Sequence, residues 1–151
     1  MKPPIATGEF TDDSDASRDG GRPDFSGSWE MNAQRSVLRG PPPKRLSMRI
    51  DHRGPTLIQD VLTVGEDGAE QRASFRYICG AETLNAIGTV AVRTTARWAG
   101  SALVIESWIA MPGREIYYED HWSLADDGRT ITMAHHNDDL EGQITVLERR
   151  D

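Results

Sequence analysis

The sequence predicts an all-β fold, a single up-and-down antiparallel barrel of about eight to ten strands. Three observations carry this. From Phe25 onward, apolar and polar residues alternate with the period of two that suits a strand with one buried face. Compact turn signals cut the pattern at short intervals, as hairpins require. No segment shows a convincing helical period, since AETLNA offers a single turn at most. A long run of hairpin-joined neighbours exposes two edges unless the sheet closes on itself, which favours a barrel over a two-sheet sandwich.

Residues 1–23 are rich in Asp, Ser, Gly and Pro and are expected to form a disordered acidic tail, leaving 24–151 as the barrel. FSGSWEM opens the first strand, and GPPPKR links it to RLSMRIDH (45–52), where Leu46, Met48, Ile50 and His52 share a face. Arg53-Gly54-Pro55 turns the chain into TLIQDVLTV (56–64), and Glu66-Asp67-Gly68 turns it into EQRASFRYIC (70–79). AETLNAIG reads as a looser link. Ala99-Gly100 then joins TVAVRTTARW (89–98) to SALVIESWIAM (101–111), and Pro112-Gly113 leads into REIYYEDHWSLA (114–125). Asp127-Gly128 leads into RTITMAHH (129–136), and the polar link NDDLEG precedes QITVLERR (143–150). The expected count is about nine strands.

The chain has 151 residues and a formal net charge of −7, enough length for a single cored domain. An acidic surface without a Lys/Arg cluster repels nucleic acid and anionic membrane, so neither is an expected partner. Lys44-Arg45 and Arg149-Arg150 are isolated basic pairs. Cys79 is the one cysteine, which excludes an intramolecular disulfide. No apolar run follows Lys2 and nothing approaches transmembrane length, so a cytoplasmic protein is the expectation. Monomer and homodimer are both compatible with the composition.

The opening stretch resembles a known pattern. Gly27 and Trp29 in F-S-G-S-W are similar to the G-x-W signature of the lipocalin and fatty-acid-binding (calycin) superfamily. With Asn32, Arg35 and Ser36 the stretch resembles the G-T-W-x-x-N-x-x-K-S opening of small bacterial lipocalin-like proteins. GPPPKR, the hairpin from Trp122 to Ile131 and the last strand resemble that group too. The resemblance spans about residues 25 to 150. It implies a lipocalin-like barrel in which Trp29 plugs one end beneath Arg149 or Arg150, with Gly27 giving the backbone room. Relatives of this kind often carry an export signal.

Hairpin turns fix which residues face each other. A two-residue turn at Pro112-Gly113 sets Ser107 opposite Tyr118 and Ile105 opposite Asp120. A turn at Ala99-Gly100 sets Ala96 opposite Leu103 and Thr94 opposite Ile105. In the next hairpin Trp122 meets Met133 and Asp120 meets His135. These positions share an apolar face, taken as the interior, together with Ile58, Asp60 and Leu62 of one strand and Phe75 and Tyr77 of the next. The opposite face carries Arg93, Glu106, Glu119, His121 and His136, with Trp108 and Tyr117 as a cross-strand pair.

Asp60, Tyr77, Tyr118, Asp120 and His135 stand out on the interior face, with His52 near a rim. A buried carboxylate is costly unless paired. Asp120 opposite His135 would fix the imidazole tautomer, raise its pKa and leave the other nitrogen as a base. Tyr118 would donate to a ligand carbonyl or enolate. The structural alternative is that the three simply satisfy one another.

The first functional expectation is a barrel binding a small, apolar or amphipathic molecule, lined by Tyr77, Asp60, Trp122, Met133, Ser107, Ile105, Phe75 and His52. The second is an isomerase or cyclase acting on a small carbonyl compound, with His135 as base, Asp120 as its orienter and Tyr118 as donor. The third is a filled barrel using Trp108 and Tyr117 as an interaction face. No G-x-S-x-G or phosphate-loop pattern occurs, and His135 and His136 point to opposite faces, so neither a cofactor nor a metal is expected.

Overall fold

A computed structural model describes residues 22–137 and 142–150. It contains ten strands: β1 (Gly27–Met31), β2 (Arg45–Arg53), β3 (Thr56–Val64), β4 (Glu70–Ile78), β5 (Glu82–Ile87), β6 (Val90–Ala99), β7 (Ala102–Met111), β8 (Arg114–Leu124), β9 (Thr130–His136) and β10 (Gln143–Arg150). They form one antiparallel sheet in the order β4-β3-β2-β1-β10-β9-β8-β7-β6-β5, rolled into a nearly closed barrel. The tail expected over 1–23 lies outside the described residues except for Arg22 and Pro23. Only Asn137 and Gly142 of the link NDDLEG are described. Among the described residues no helix is long and apolar enough to cross a membrane.

One end of the barrel is plugged. Phe25 and Trp29 are fully buried, and the Trp29 indole N–H donates to the Phe25 carbonyl at 3.0 Å. The Phe25, His52 and Trp98 rings cluster mutually, with centroids 5.9 Å (Phe25–His52), 6.1 Å (Phe25–Trp98) and 6.1 Å (His52–Trp98) apart. The guanidinium of Arg149, not that of Arg150, lies 4.4 Å from the Trp29 ring centre. It also donates to the carbonyls of Ser26 and Gly128, both at 2.9 Å. Arg150 faces outward and pairs with Glu30. Gly27 has φ +142°, and a Cβ there would collide with the Arg149 guanidinium, so only glycine admits the stack.

Asn32, Arg35 and Ser36 tie the exit of β1 to β10. The Asn32 side-chain oxygen accepts the Gln34 and Arg35 amides, while its Nδ2 donates to Glu148 at 3.1 Å. Ser36 Oγ donates to the Asn32 carbonyl and accepts the Val146 amide. The motif therefore builds a turn and its anchor.

Three details differ from the sequence expectation. The β2–β3 turn takes two residues, pairing Arg53 with Thr56, so Ile50 faces Gln59 rather than an even-numbered residue. Leu57, Gln59 and Val61 consequently point inward, and Ile58, Asp60 and Leu62 do not. Periodicity could not decide this, because TLIQDVLTV is apolar on both parities. The β6–β7 hairpin turns at Gly100-Ser101, so Ala96 meets Ile105 and Thr94 meets Ser107. That two-residue slip leaves every side chain on its expected face. AETLNAIG forms strand β5, paired with β6 from Glu82–Thr95 to Ile87–Val90. Its pattern is inverted: Leu84 points outward at 77 % exposure, and Thr83 and Asn85 point toward the barrel.

Neither neighbour in sequence closes the ring with a backbone ladder: β4 and β5 are the two ends of the strand order. Asn85 bridges them. Its side-chain oxygen accepts the Arg76 amide at 2.8 Å and its Nδ2 donates to the Arg76 carbonyl at 2.9 Å. Thr83 Oγ1 donates to the same carbonyl. A side-chain amide thus stands in for one residue of a missing strand.

Candidate functional site

The unplugged part of the interior holds a cavity of about 350 Å³, toward the small end of the ~300–1,000 Å³ usual for ligand sites. Apolar side chains dominate its wall, among them Phe75, Val92, Ile109, Trp122 and Met133. Alternation along β7, β8 and β9 then brings Ser107, Tyr118, Asp120 and His135 onto the same wall.

His135 and Asp120 pair across β8 and β9, with Nδ1 and Oδ1 2.6 Å apart. The hydrogen bond to Asp120 raises the His135 pKa above the ordinary imidazole value, with burial opposing and the carboxylate charge assisting. Asp120 thereby holds Nδ1 as the protonated nitrogen in the neutral ring. Nε2 has no hydrogen-bond partner among the described residues. The Tyr118 ring packs 4.9 Å from the imidazole, and its hydroxyl likewise makes no hydrogen bond among them. A largely apolar wall therefore carries an imidazole nitrogen and a phenol able to meet one polar group of a ligand.

Of the expected lining residues, Tyr77, Phe75, Ser107, Trp122 and Met133 reach the cavity. Three do not. Asp60 projects to the outside, where its carboxylate accepts the Ser74 hydroxyl at 2.7 Å, a consequence of the two-residue turn. Ile105 is fully buried in the core and off the cavity wall. His52 belongs to the plug: its side chain is 8 % exposed, its ring stacks on Phe25, and Nδ1 accepts the Phe25 amide at 3.2 Å. Gln59, Thr94, Gln143 and Thr145 line the cavity without having been expected. For Gln59 the signal available was the length of the β2–β3 turn.

The interior is not filled solid. Trp108 and Tyr117 do pair on the outer face at 5.4 Å, with Arg93 over Trp108 at 4.3 Å. The Tyr117 hydroxyl donates to Glu106 at 2.7 Å or Glu119 at 2.9 Å, so this face is internally bonded. A larger hollow, about 720 Å³, lies against β1 to β4. Its charged lining is mutually paired in part, Glu30 meeting both Arg45 and Arg150, and no cluster like that of His135 converges there. Among the described residues no group of His, Cys, Asp and Glu side chains is arranged to hold a metal ion.

No family model and no curated protein matches the chain in sequence. Solved structures do match in fold. The wild-type fluorescent protein UnaG superposes with a TM-score of 0.56 at 13% identity, over 83% of this chain and 97% of that one. A secretory abundant heat soluble protein from Ramazzottius varieornatus gives 0.60 at 11% identity, over 83% and 94%. The zebrafish ileal bile acid-binding protein in complex with cholic acid gives 0.54 at 14% identity, over 84% and 98%. At such identities the likeness is one of architecture, and that architecture is the calycin-type barrel of the fatty-acid-binding and lipocalin proteins.

Proposed function

We propose that the protein binds a small, largely apolar molecule inside the barrel, with one polar group of that molecule held by His135 and Tyr118. The observation that carries this is the largely apolar cavity in which His135 Nε2 and the Tyr118 hydroxyl stand unpaired among the described residues. The cholic acid complex of a similarly folded barrel supports it, as a small molecule bound by that other protein. The G-x-W opening supports placing the chain with small bacterial lipocalin-like proteins.

Titration with an anilinonaphthalene dye, read through dye and tryptophan fluorescence, tests the proposal. One saturable site is expected, weakened about three- to ten-fold by His135→Ala, the worth of one hydrogen bond, and abolished by Ser107→Trp, which fills the cavity. Dye binding that survives Ser107→Trp would place the dye elsewhere and end this reading.

A second reading is favoured by one feature, the Asp120 carboxylate on Nδ1 with Nε2 left as a base. It is proton transfer on a small carbonyl compound, an isomerase or cyclase step with Tyr118 as donor. Turnover abolished in both His135→Ala and Asp120→Asn, with dye binding kept within ten-fold, would support catalysis. Unchanged turnover in Asp120→Asn would remove Asp120 from any such role.

A further inference from the structure

Gln59 and Thr94 are buried polar side chains of the cavity that neither reading uses, and Gln59 is the one left short of a partner. It is 6 % exposed, and its amide oxygen accepts the Tyr77 hydroxyl at 2.9 Å. That contact sets the amide orientation, so Nε2 turns the other way and, among the described residues, finds only Met48 Sδ, at 3.2 Å. A thioether is a weak acceptor, so a buried NH2 group is left without an oxygen partner. Thr94 shows the contrast. It is 1 % exposed and lines the same cavity, but its hydroxyl is 2.6 Å from the Thr83 hydroxyl and accepts Asn85 Nδ2 at 3.0 Å. Burial, with the Asp120 charge adding, pushes the Tyr77 hydroxyl upward and keeps it a protonated donor.

Position matters as much as bonding. In the strand order β3 is second and β8 seventh, five places apart among ten, so Gln59 and the Tyr118–Asp120 pair occupy opposite walls of the barrel. Trp122 meets Tyr77 edge-on at 6.0 Å and shares the cavity with both walls. Among the described residues no Arg or Lys lines the cavity. An anionic or acidic group therefore finds its best partner at His135, and the Gln59 wall suits a neutral acceptor.

We propose that Gln59 is a second recognition residue, and that the ligand is a compact apolar molecule with a neutral carbonyl at one end and a hydroxyl or carboxylate at the other. The carbonyl takes the Gln59 Nε2–H, and the far oxygen meets His135 and Tyr118. This rests on the binding reading above, and it adds a chemical class to it.

Three probes decide it: a hydroxyacetonaphthone with its two oxygen groups at opposite ends of the naphthalene, naphthol without the acetyl group, and acetonaphthone without the hydroxyl. The first is expected to bind wild-type protein about three- to ten-fold tighter than either of the others. In Gln59→Leu its advantage over naphthol is lost and its advantage over acetonaphthone is kept. In His135→Ala the pattern reverses. Tyr77→Phe, which releases the amide without touching it, is expected to lose part of the acetyl advantage. Equal wild-type affinity for naphthol and hydroxyacetonaphthone would overturn the role of Gln59 and leave interior binding standing. So would an equal loss for all three probes in Gln59→Leu, or an unchanged acetyl advantage in Tyr77→Phe. Failure of every probe to bind wild-type protein would overturn both.

Discussion

His135 shows how one side chain reports on its surroundings. Its native pKa is raised, chiefly by the Asp120 hydrogen bond, so the folded chain holds the imidazole proton more tightly than the unfolded chain. The resulting stabilisation is fully present below the unfolded value of about 6.5 and is lost as pH rises through the higher native value. Urea unfolding of wild type and His135→Gln should therefore show a stability difference that is greatest below about pH 6 and narrows as the pH rises past the unfolded value of about 6.5. A difference independent of pH over that window would mean the pair is not coupled as described. The pairing itself was legible in the sequence, because the β8–β9 turn is short and its register follows from Asp127-Gly128. Gln59 was not legible. Nothing in TLIQDVLTV separates a strand facing in on even positions from one facing in on odd ones, and the deciding fact is a turn one residue shorter.

At the level of elements, the plug and the seam make opposite demands on their residues. In the plug a backbone position, an indole and a guanidinium must coexist. Gly27→Ala forces a strained φ and displaces Arg149, with an expected cost of about 1–3 kcal/mol in urea unfolding. A loss below about 0.5 kcal/mol, the scatter of ordinary surface changes, would mean that the stack yields easily. This element was readable because G-x-W constrains both glycine and tryptophan. Strand β5 was not, since it turns Thr83 and Asn85 inward, half-buried, and exposes Leu84, the reverse of the alternation that marks a strand. Its polar inward positions make sense only once β4 is beside it. Asn85→Ala removes both bonds to Arg76, with an expected loss of about 1 kcal/mol or less, since the site is exposed. Faster deuterium exchange at the Arg76 amide is the specific signature, and unchanged protection there would show that Asn85 does not hold the seam.

For the molecule as a whole, the strand order has a consequence for how the chain finds its fold. β1 and β10 pair with each other in the middle of the sheet, and the β4–β5 connection lies at its two margins. The barrel's central ladder thus joins the most distant parts of the sequence, and it cannot form until the last strand is available. Cutting at the exposed Gly80 and joining Arg150 to Arg22 by a short linker would reorder the strands as β5 through β10 followed by β1 through β4. Every ladder would then connect consecutive strands, and the mean sequence separation of contacts would fall. Two-state folding rates rise as that separation falls, so the rearranged chain should refold faster than the original while keeping the same cavity. Equal or slower refolding would show that the β1–β10 ladder forms after the rate-limiting step. In its natural order the protein carries a meander whose beginning and end have been moved to its centre.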